Sequence, residues 1–384
     1  MKPLINNREG GESDLILLVT ALFLIGLGIA MIYSASAVYA LKTIKDSFFF
    51  MKKQLLWFMI GFIALLFFQG INYRVYIKYT KVMLLLSLVL LIAILIPGIG
   101  ISVKGAARWM GLNGIRFQPS EFIKLFMVIF LVKVFSTEIR GLANQIIQLL
   151  IPIIIIAITF ILIMLQPDFG TAVTLLAVSG LILFVSGFPI LYILMLIVTS
   201  IPMFYLLIYQ VDYRKERFLA FLNPWEDRFG NGYHIIQSFI AFKKGELFGV
   251  GLGCGTQKVA RLPEPYTDFI FAVIAEESGL IGTVFILSLY CVIFWRGLRI
   301  SLNATDNFGK LLAIGLTMLI VVQAFINIGV VSGGLPTTGI PLPLISYGGS
   351  SLLANMISLG ILLNISKNND IMPNNKKIGN IVWT

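Results

Sequence analysis

Apolar stretches long enough to cross a lipid bilayer recur along this chain, and no other feature constrains the fold so tightly. They fall at about 14–36, 54–71, 81–99, 119–137, 145–165, 170–187, 189–209, 268–295, 309–333 and 343–366. A helix needs roughly 20 residues to cross the hydrocarbon core. Inside hydrocarbon every backbone N–H and C=O must find a partner within the protein, and for runs of this length helices provide one. Charged residues make up 12% of the 384 positions, about half the usual share of roughly 25%. The expectation is an all-α integral membrane protein of about ten transmembrane helices. A polar tail at 1–13 precedes a single polytopic domain over 14–366, and a second tail follows at 367–384. Residues 1–13 lack the charged, apolar and small-residue order of a cleavable signal, so the first run is expected to remain as an anchor. No internal repeat is evident.

The distribution of basic residues sets the expected orientation. The 29 Lys and Arg outnumber the 18 acids, giving a formal charge of +11. Most of the basic residues lie in short loops between apolar runs. There they act as topology determinants and as contacts for anionic lipid or phosphate, not as a nucleic-acid surface. Thirteen fall on one side; seven fall in the short loops of the other, namely Lys42, Lys45, Lys52, Lys53, Lys104, Arg108 and Arg116. The richer side faces the cytoplasm by the positive-inside rule, which puts both termini there. The large loop 210–267, between the seventh and eighth spans, is then extracytoplasmic. Cys254 and Cys291 are far apart and suggest no disulfide. With His234 as the single histidine, a zinc site is not expected.

The large loop ends in Leu262-Pro263-Glu264-Pro265-Tyr266-Thr267-Asp268-Phe269-Ile270-Phe271-Ala272. Proline stiffens the approach, and Thr267 is expected to cap a helix whose first turn holds Asp268. Glu264 and Asp268 thus stand where water meets lipid. A carboxylate fixed at a helix end suits a general base, with a purely capping role as the alternative. Upstream, Gly249-Val250-Gly251-Leu252-Gly253-Cys254-Gly255 is either a turn or a phosphate cradle. The nearby Lys258 and Arg261 favour a diphosphate, because cations and free amides together suit one.

Polar groups at membrane depth are functional candidates by default. Glu121 and Lys124 are three apart and share a helix face, so they either pair with each other or present a cation to a lipid phosphate. Asp168, in Gln166-Pro167-Asp168-Phe169-Gly170-Thr171, either caps the next helix or faces substrate. Glu276 and Glu277 are expected to face the bundle or a wet cavity. His234 is expected to pack at the surface. The last outer loop runs from Gly333 to Ser351 and carries Ser346 and Ser350. Its hydroxyls and free amides either hold a pyrophosphate or sugar, or belong to a re-entrant structural loop.

These residues resemble one family. Pro263-Glu264 followed by Thr267-Asp268-Phe269-Ile270-Phe271-Ala272 and Glu276-Glu277 is similar to the signature of the SEDS proteins, the FtsW/RodA/SpoVE family. So are Gln118-Pro119-Ser120-Glu121, Gln166 to Thr171, and Ile345-Ser346-Tyr347-Gly348-Gly349-Ser350-Ser351. Met31 to Ser36 and Phe48 to Phe50 look more like the FtsW branch than the RodA branch. Tyr266 stands where the family usually has histidine, Asn223 where it has aspartate and Ser278 where it has leucine. Phe242 to Glu246 replaces a run usually rich in glycine and serine.

The resemblance implies a ten-helix peptidoglycan glycosyltransferase in the bacterial inner membrane. It would polymerise lipid II into β-1,4 glycan strands at the outer face, during division or elongation. The implied partner is a class B penicillin-binding protein that supplies the transpeptidase. The family's essential aspartate carries over to Asp268, and its cavity acid, lysine and loop arginine carry over to Glu121, Lys124 and Arg108. Asp168, Lys258, Glu264, Ser346 and Ser350 complete the expected substrate site. Whether a divalent cation, magnesium or manganese, assists at Asp268 or Glu264 is open; no other cofactor is expected. Two rival functions use the same residues: a lipid II flippase, and a non-catalytic division scaffold.

Overall fold

The computed structural model describes residues 13–103, 106–112, 115–137, 142–230, 232–260 and 264–369. Lys104, Arg261, Leu262, Pro263 and most of both tails lie outside the described residues. Each expected apolar segment coincides with a helix. The first three are α1 (Leu15–Ile44), α2 (Phe49–Gly70) and α3 (Val75–Leu95), followed by α4 (Pro119–Ser136), α5 (Leu142–Leu165), α6 (Phe169–Val185) and α7 (Ile190–Tyr209). The large loop holds three shorter helices, α8 (Asp212–Leu222), α9 (Tyr233–Gly245) and α10 (Gln257–Ala260). The chain then returns to the bundle through α11 (Ile270–Asn303), α12 (Asn307–Val331) and α13 (Gly349–Asn369).

Six of these helices, α1, α2, α3, α11, α12 and α13, are long and apolar enough to cross a membrane by length and composition. This is a multi-pass integral membrane protein. Its centre is α12 and α13: the apolar window of α13 is 89% buried in protein, against 22% for α2. Helices can pack closely in lipid where a small residue lets two backbones approach. At Gly360 of α13 a β-carbon would collide with the Leu65 carbonyl of α2.

Aspartate caps start three helices where the first-turn amides need acceptors. Asp14 accepts from the Leu17 amide, Asp168 from Thr171 and Asp306 from Gly309. The described chain begins and ends at the same pole, where the Asp14 amide donates to Ser366 Oγ and Arg296 pairs with Asp14 at 2.6 Å.

Two features depart from the expectation. The loop after α3 is not irregular: it forms an antiparallel three-stranded meander, β1 (Ile101–Val103), β2 (Ala106–Leu112) and β3 (Ile115–Phe117), in the order β1-β2-β3. The membrane body remains all-α. The expected eighth span is also not one straight crossing. It breaks at Gly279, with φ 64° and ψ −162°, so that 270–278 is a short helix set apart from the long crossing that follows.

The break exposes carbonyls on one side and amides on the other, and the end of α9 and the turn after it satisfy both. Val250 and Gly251 donate to the carbonyls of Glu276 and Glu277, while Leu280 and Ile281 donate to those of Glu246 and Leu247. Gly249 and Gly279 meet so closely that a β-carbon on either would strike the other strand's backbone.

Candidate active site

Asp268 stands in a turn, two residues before α11, and not within its first helical turn. Thr267 does not cap the helix. Its hydroxyl donates backward to the Glu264 carbonyl and sideways to Asp268 Oδ1, both at 2.8 Å. The helix opens at Ile270 with Phe269 in the cap position and no side-chain cap bond. Glu264 is exposed, with φ 48°.

Side-chain bonds from neighbouring elements fix this turn. Asn327 of α12 donates to the Asp268 carbonyl at 2.8 Å and to the Ile340 carbonyl at 2.7 Å. Ser346 donates to the Thr267 carbonyl and accepts from the Leu342 amide, and Tyr347 N–H donates to Tyr266 O at 2.9 Å. The second half of the loop between α12 and α13, 340–346, is therefore a largely buried support for this turn. Its carbonyls are met by amide and hydroxyl side chains: Gln323 donates to Pro341 O and Tyr290 to Pro343 O. Ser350 accepts from the Gln118 amide at 3.0 Å. Ser346 and Ser350 are both buried and both spent on backbone.

Around Asp268 a cavity of about 130 Å³ is lined by Arg217, Gly230, His234, Phe269, Thr337 and Gly339. A β-carbon on Gly339 would lie 3.9 Å from Asp268 Oδ2. A second cavity of about 80 Å³ shares Arg217 and Thr337 with the first and extends to Arg108, Arg214, Pro167 and Phe169. Arg217 lines both cavities and so stands between Asp268 in the first and Arg108 and Arg214 in the second. Arg108 Nε donates to the Gln166 carbonyl at 3.3 Å, its Nη2 donates to the Pro167 carbonyl, and its Nη1 lies 3.7 Å from Asp168 Oδ1.

Asp168 is buried and caps α6. It accepts from the Thr171 amide and hydroxyl and from Gln118 Nε2. Glu121 and Lys124 pair at 2.9 Å inside the bundle, both nearly inaccessible, and Lys124 also donates to Gln323 Oε1 at 2.7 Å. Lys258 is sealed away as well. Its ammonium lies 2.5 Å from Glu277 and donates to Ser34 Oγ. The glycine-rich run holds the chain's own carboxylates. Gly253 N–H donates to Glu277, and Thr256 N–H, Thr256 Oγ1 and Gln257 N–H donate to Glu276. Glu276 and Glu277 thus face this turn instead of a wet cavity.

Tyr266 is buried among Tyr39, Phe50 and Tyr347, with its ring 4.3 Å from that of Phe50. Burial pushes its phenol well above the usual value, so it stays neutral. No three His, Cys, Asp or Glu side chains cluster among the described residues.

The family model for FtsW, RodA and SpoVE, described as cell cycle protein, matches residues 14–371. The chain belongs to the FtsW/RodA/SpoVE family. It is 42% identical over 354 residues to the stage V sporulation protein E of Bacillus subtilis, covering 92% of this chain and 97% of that one. It is also 42% identical over 372 residues to a probable peptidoglycan glycosyltransferase FtsW of Geobacter metallireducens, covering 94% and 96%. A solved structure describing the structural coordination of polymerization and crosslinking by a peptidoglycan synthase complex superposes with a TM-score of 0.77 at 28% identity, covering 94% of this chain and 99% of that one. The rod shape determining protein RodA of Thermus thermophilus superposes at 0.68 with 25% identity, covering 93% and 98%.

In this FtsW/RodA/SpoVE family member, sequence reasoning missed Arg214, Arg217 and His234 as neighbours of the site. Arg214 and Arg217 are three apart on α8 and so share a face, a signal the sequence did contain. His234, expected as a surface or packing residue and not as a base, does pack, its ring stacked 5.1 Å from that of Phe269, and it also lines the cavity at Asp268.

Proposed function

We propose that this chain is a peptidoglycan glycosyltransferase that polymerises lipid II at the outer face of the bacterial inner membrane, with Asp268 as its general base. The observation that carries the assignment is the Asp268 carboxylate. Among the described residues it accepts a hydrogen bond from Thr267 alone, and it lines a cavity with Arg217, which also lines the neighbouring cavity of Arg108 and Arg214. The acceptor sugar's 4-hydroxyl attacks the anomeric carbon of the donor. The new C–O bond forms as the bond from that carbon to the lipid diphosphate breaks, and the diphosphate leaves with the electron pair. The hydroxyl proton passes to Asp268. An α-linked donor giving a β-linked product requires inversion, hence one displacement and one base.

Charge on the departing diphosphate is met by the arginines, the kind of preorganised electrostatics that often dominates catalysis. In this reading the acceptor sugar binds in the Asp268 cavity and the diphosphate in the neighbouring arginine-lined cavity, a separation supported by the residues lining each. Ten membrane crossings with both termini cytoplasmic are part of the same proposal. It draws support from the helix count and from the meeting of Asp14 with Ser366 at one pole. A class B penicillin-binding protein is the proposed partner. The flippase alternative needs polar groups along a path, and Glu121, Lys124, Glu276 and Glu277 are each paired within the protein.

The test is polymerisation of labelled lipid II by the purified protein with its transpeptidase partner. The expected result is glycan polymer from the wild type and none from Asp268→Asn. Polymer from the purified mutant would remove Asp268 as base. Absence of polymer from both, with intact complex and verified substrate, would remove the polymerase assignment itself.

A further inference from the structure

The turn that follows α9 has no role in the chemistry above, and its composition is unusual for a segment outside the spans. From Leu247 to Gly255 it has no charged residue. Its four large side chains all point outward: Phe248 is 79% exposed, Leu252 76%, Leu247 56% and Val250 41%. An apolar cluster of this kind on a membrane protein marks a surface that meets something apolar.

Part of its backbone is bonded within the protein. The amides of Gly249, Val250, Gly251 and Cys254 donate to the carbonyls of Gly245, Glu276, Glu277 and Gly251, and the Gly253 amide donates to the Glu277 carboxylate. Irregular backbone is carried into hydrocarbon at lower cost with such bonds than without them. A loop in water has no such need.

The tip also runs into the lipid-facing side of α11. Leu280 and Ile281 donate their amides to Glu246 and Leu247, and on the same helix Leu280, Ile281, Val284 and Phe285 are about half exposed. The apolar surface of the crossing helix lies beside the tip, with the exposed Glu246 at their junction. Lys243 and Lys244, in the last turn of α9, stand just before the tip, where cations sit at headgroup level.

We propose that the tip Leu247–Leu252 is inserted into the bilayer hydrocarbon, in the leaflet on the Asp268 side. There it anchors the short helix 270–278 through the bonds to Glu276 and Glu277. The anchor sets the height of Asp268 relative to the lipid surface. This goes beyond the proposed polymerase chemistry and does not depend on it.

The test places a single environment-sensitive fluorophore in the full chain, in nanodiscs of phosphatidylcholine and phosphatidylglycerol. Cys254 and Cys291 are first replaced by serine, and cysteine is then introduced as Leu252→Cys, Val284→Cys or Glu226→Cys. Spin labels on the lipid acyl chains should quench the Leu252→Cys probe as strongly as the Val284→Cys probe, and several-fold more than the exposed Glu226→Cys probe. Aqueous iodide should show the opposite order. Iodide quenching of Leu252→Cys equal to that of Glu226→Cys would overturn the proposal. So would protection from both quenchers, which would mean that protein covers the tip. If Leu252→Cys fails to fold, Val250→Cys answers the same question.

Discussion

Asp268 and the Glu276–Glu277 pair flank the same short helix, yet their surroundings differ in kind. Glu276 accepts from two backbone amides and a hydroxyl, and Glu277 from an amide, the Ser34 hydroxyl and the Lys258 ammonium. Both are buried. Asp268 accepts from the adjacent Thr267 hydroxyl and otherwise opens into a cavity. A buried carboxylate bonded to three protein donors holds structure, because those donors take most of its lone pairs and leave no room for a ligand. A carboxylate with open valence beside a cleft can take a proton from something that binds there. In sequence the three acids look alike: all lie near the start of one apolar run, and all belong to the same family signature.

The sharpest way to break this comparison is to neutralise each acid in turn. Asp268→Asn should lower polymerisation by about 10²–10⁴-fold, the usual worth of a positioned general base, with thermal unfolding unchanged. If Glu277→Gln lost activity to the same extent with an unchanged Tm, this bonding would not distinguish the two roles.

Next in size are the arginines. Arg217→Ala should cost on the order of 10²-fold in kcat, the scale for removing one electrostatic donor. Arg228→Ala, on the exposed part of the same loop, should change little; steady-state rates on labelled lipid substrate decide it.

A third expectation concerns stability. Lys258→Met leaves the Glu277 charge buried without its partner and should destabilise by about 3–5 kcal/mol, seen as a lower Tm in detergent. Pairing it with Glu277→Leu should recover most of the loss, because two apolar groups of similar volume need no pairing.

The smallest effect is expected at the opposite pole, where Asp306 caps α12, accepts from Tyr73 and pairs with Arg74 at 2.7 Å. Partial burial raises its pKa, but the Gly309 amide, Arg74 and Tyr73 outweigh that and leave it below the usual carboxylate value. A depressed folded pKa contributes stability that is present above the unfolded value and lost as pH falls through the folded one. Asp306→Asn should therefore flatten the acid limb of Tm against pH. Both partners are at least a third exposed, so the pair is worth less than about 1 kcal/mol.

How much of this was legible in the sequence follows from the range of the forces involved. A crossing helix satisfies its own backbone with bonds four residues apart, so runs of about twenty apolar residues were enough to place the helices. The Glu121–Lys124 pair, three apart on one turn, was local for the same reason, as were the alternative capping role of Asp168 and the family signature around Asp268. The partners that decide roles are not local. Lys258 meets Glu277 across 19 residues and Ser34 across 224, and the Thr267 carbonyl meets Ser346 across 79.

Nothing in the composition of 101–117 demanded a sheet, because three short strands gain their bonds only from one another. The break at Gly279 depends on backbone brought from 246–251, which spacing along the chain cannot reveal. The sequence by itself determined the membrane class, the helices, the family and the candidate base. Only the tertiary structure decided which charged groups are spent inside the protein and which border a cavity. A buried charge must be paired wherever the fold can supply a partner, and the fold chooses partners by distance in space.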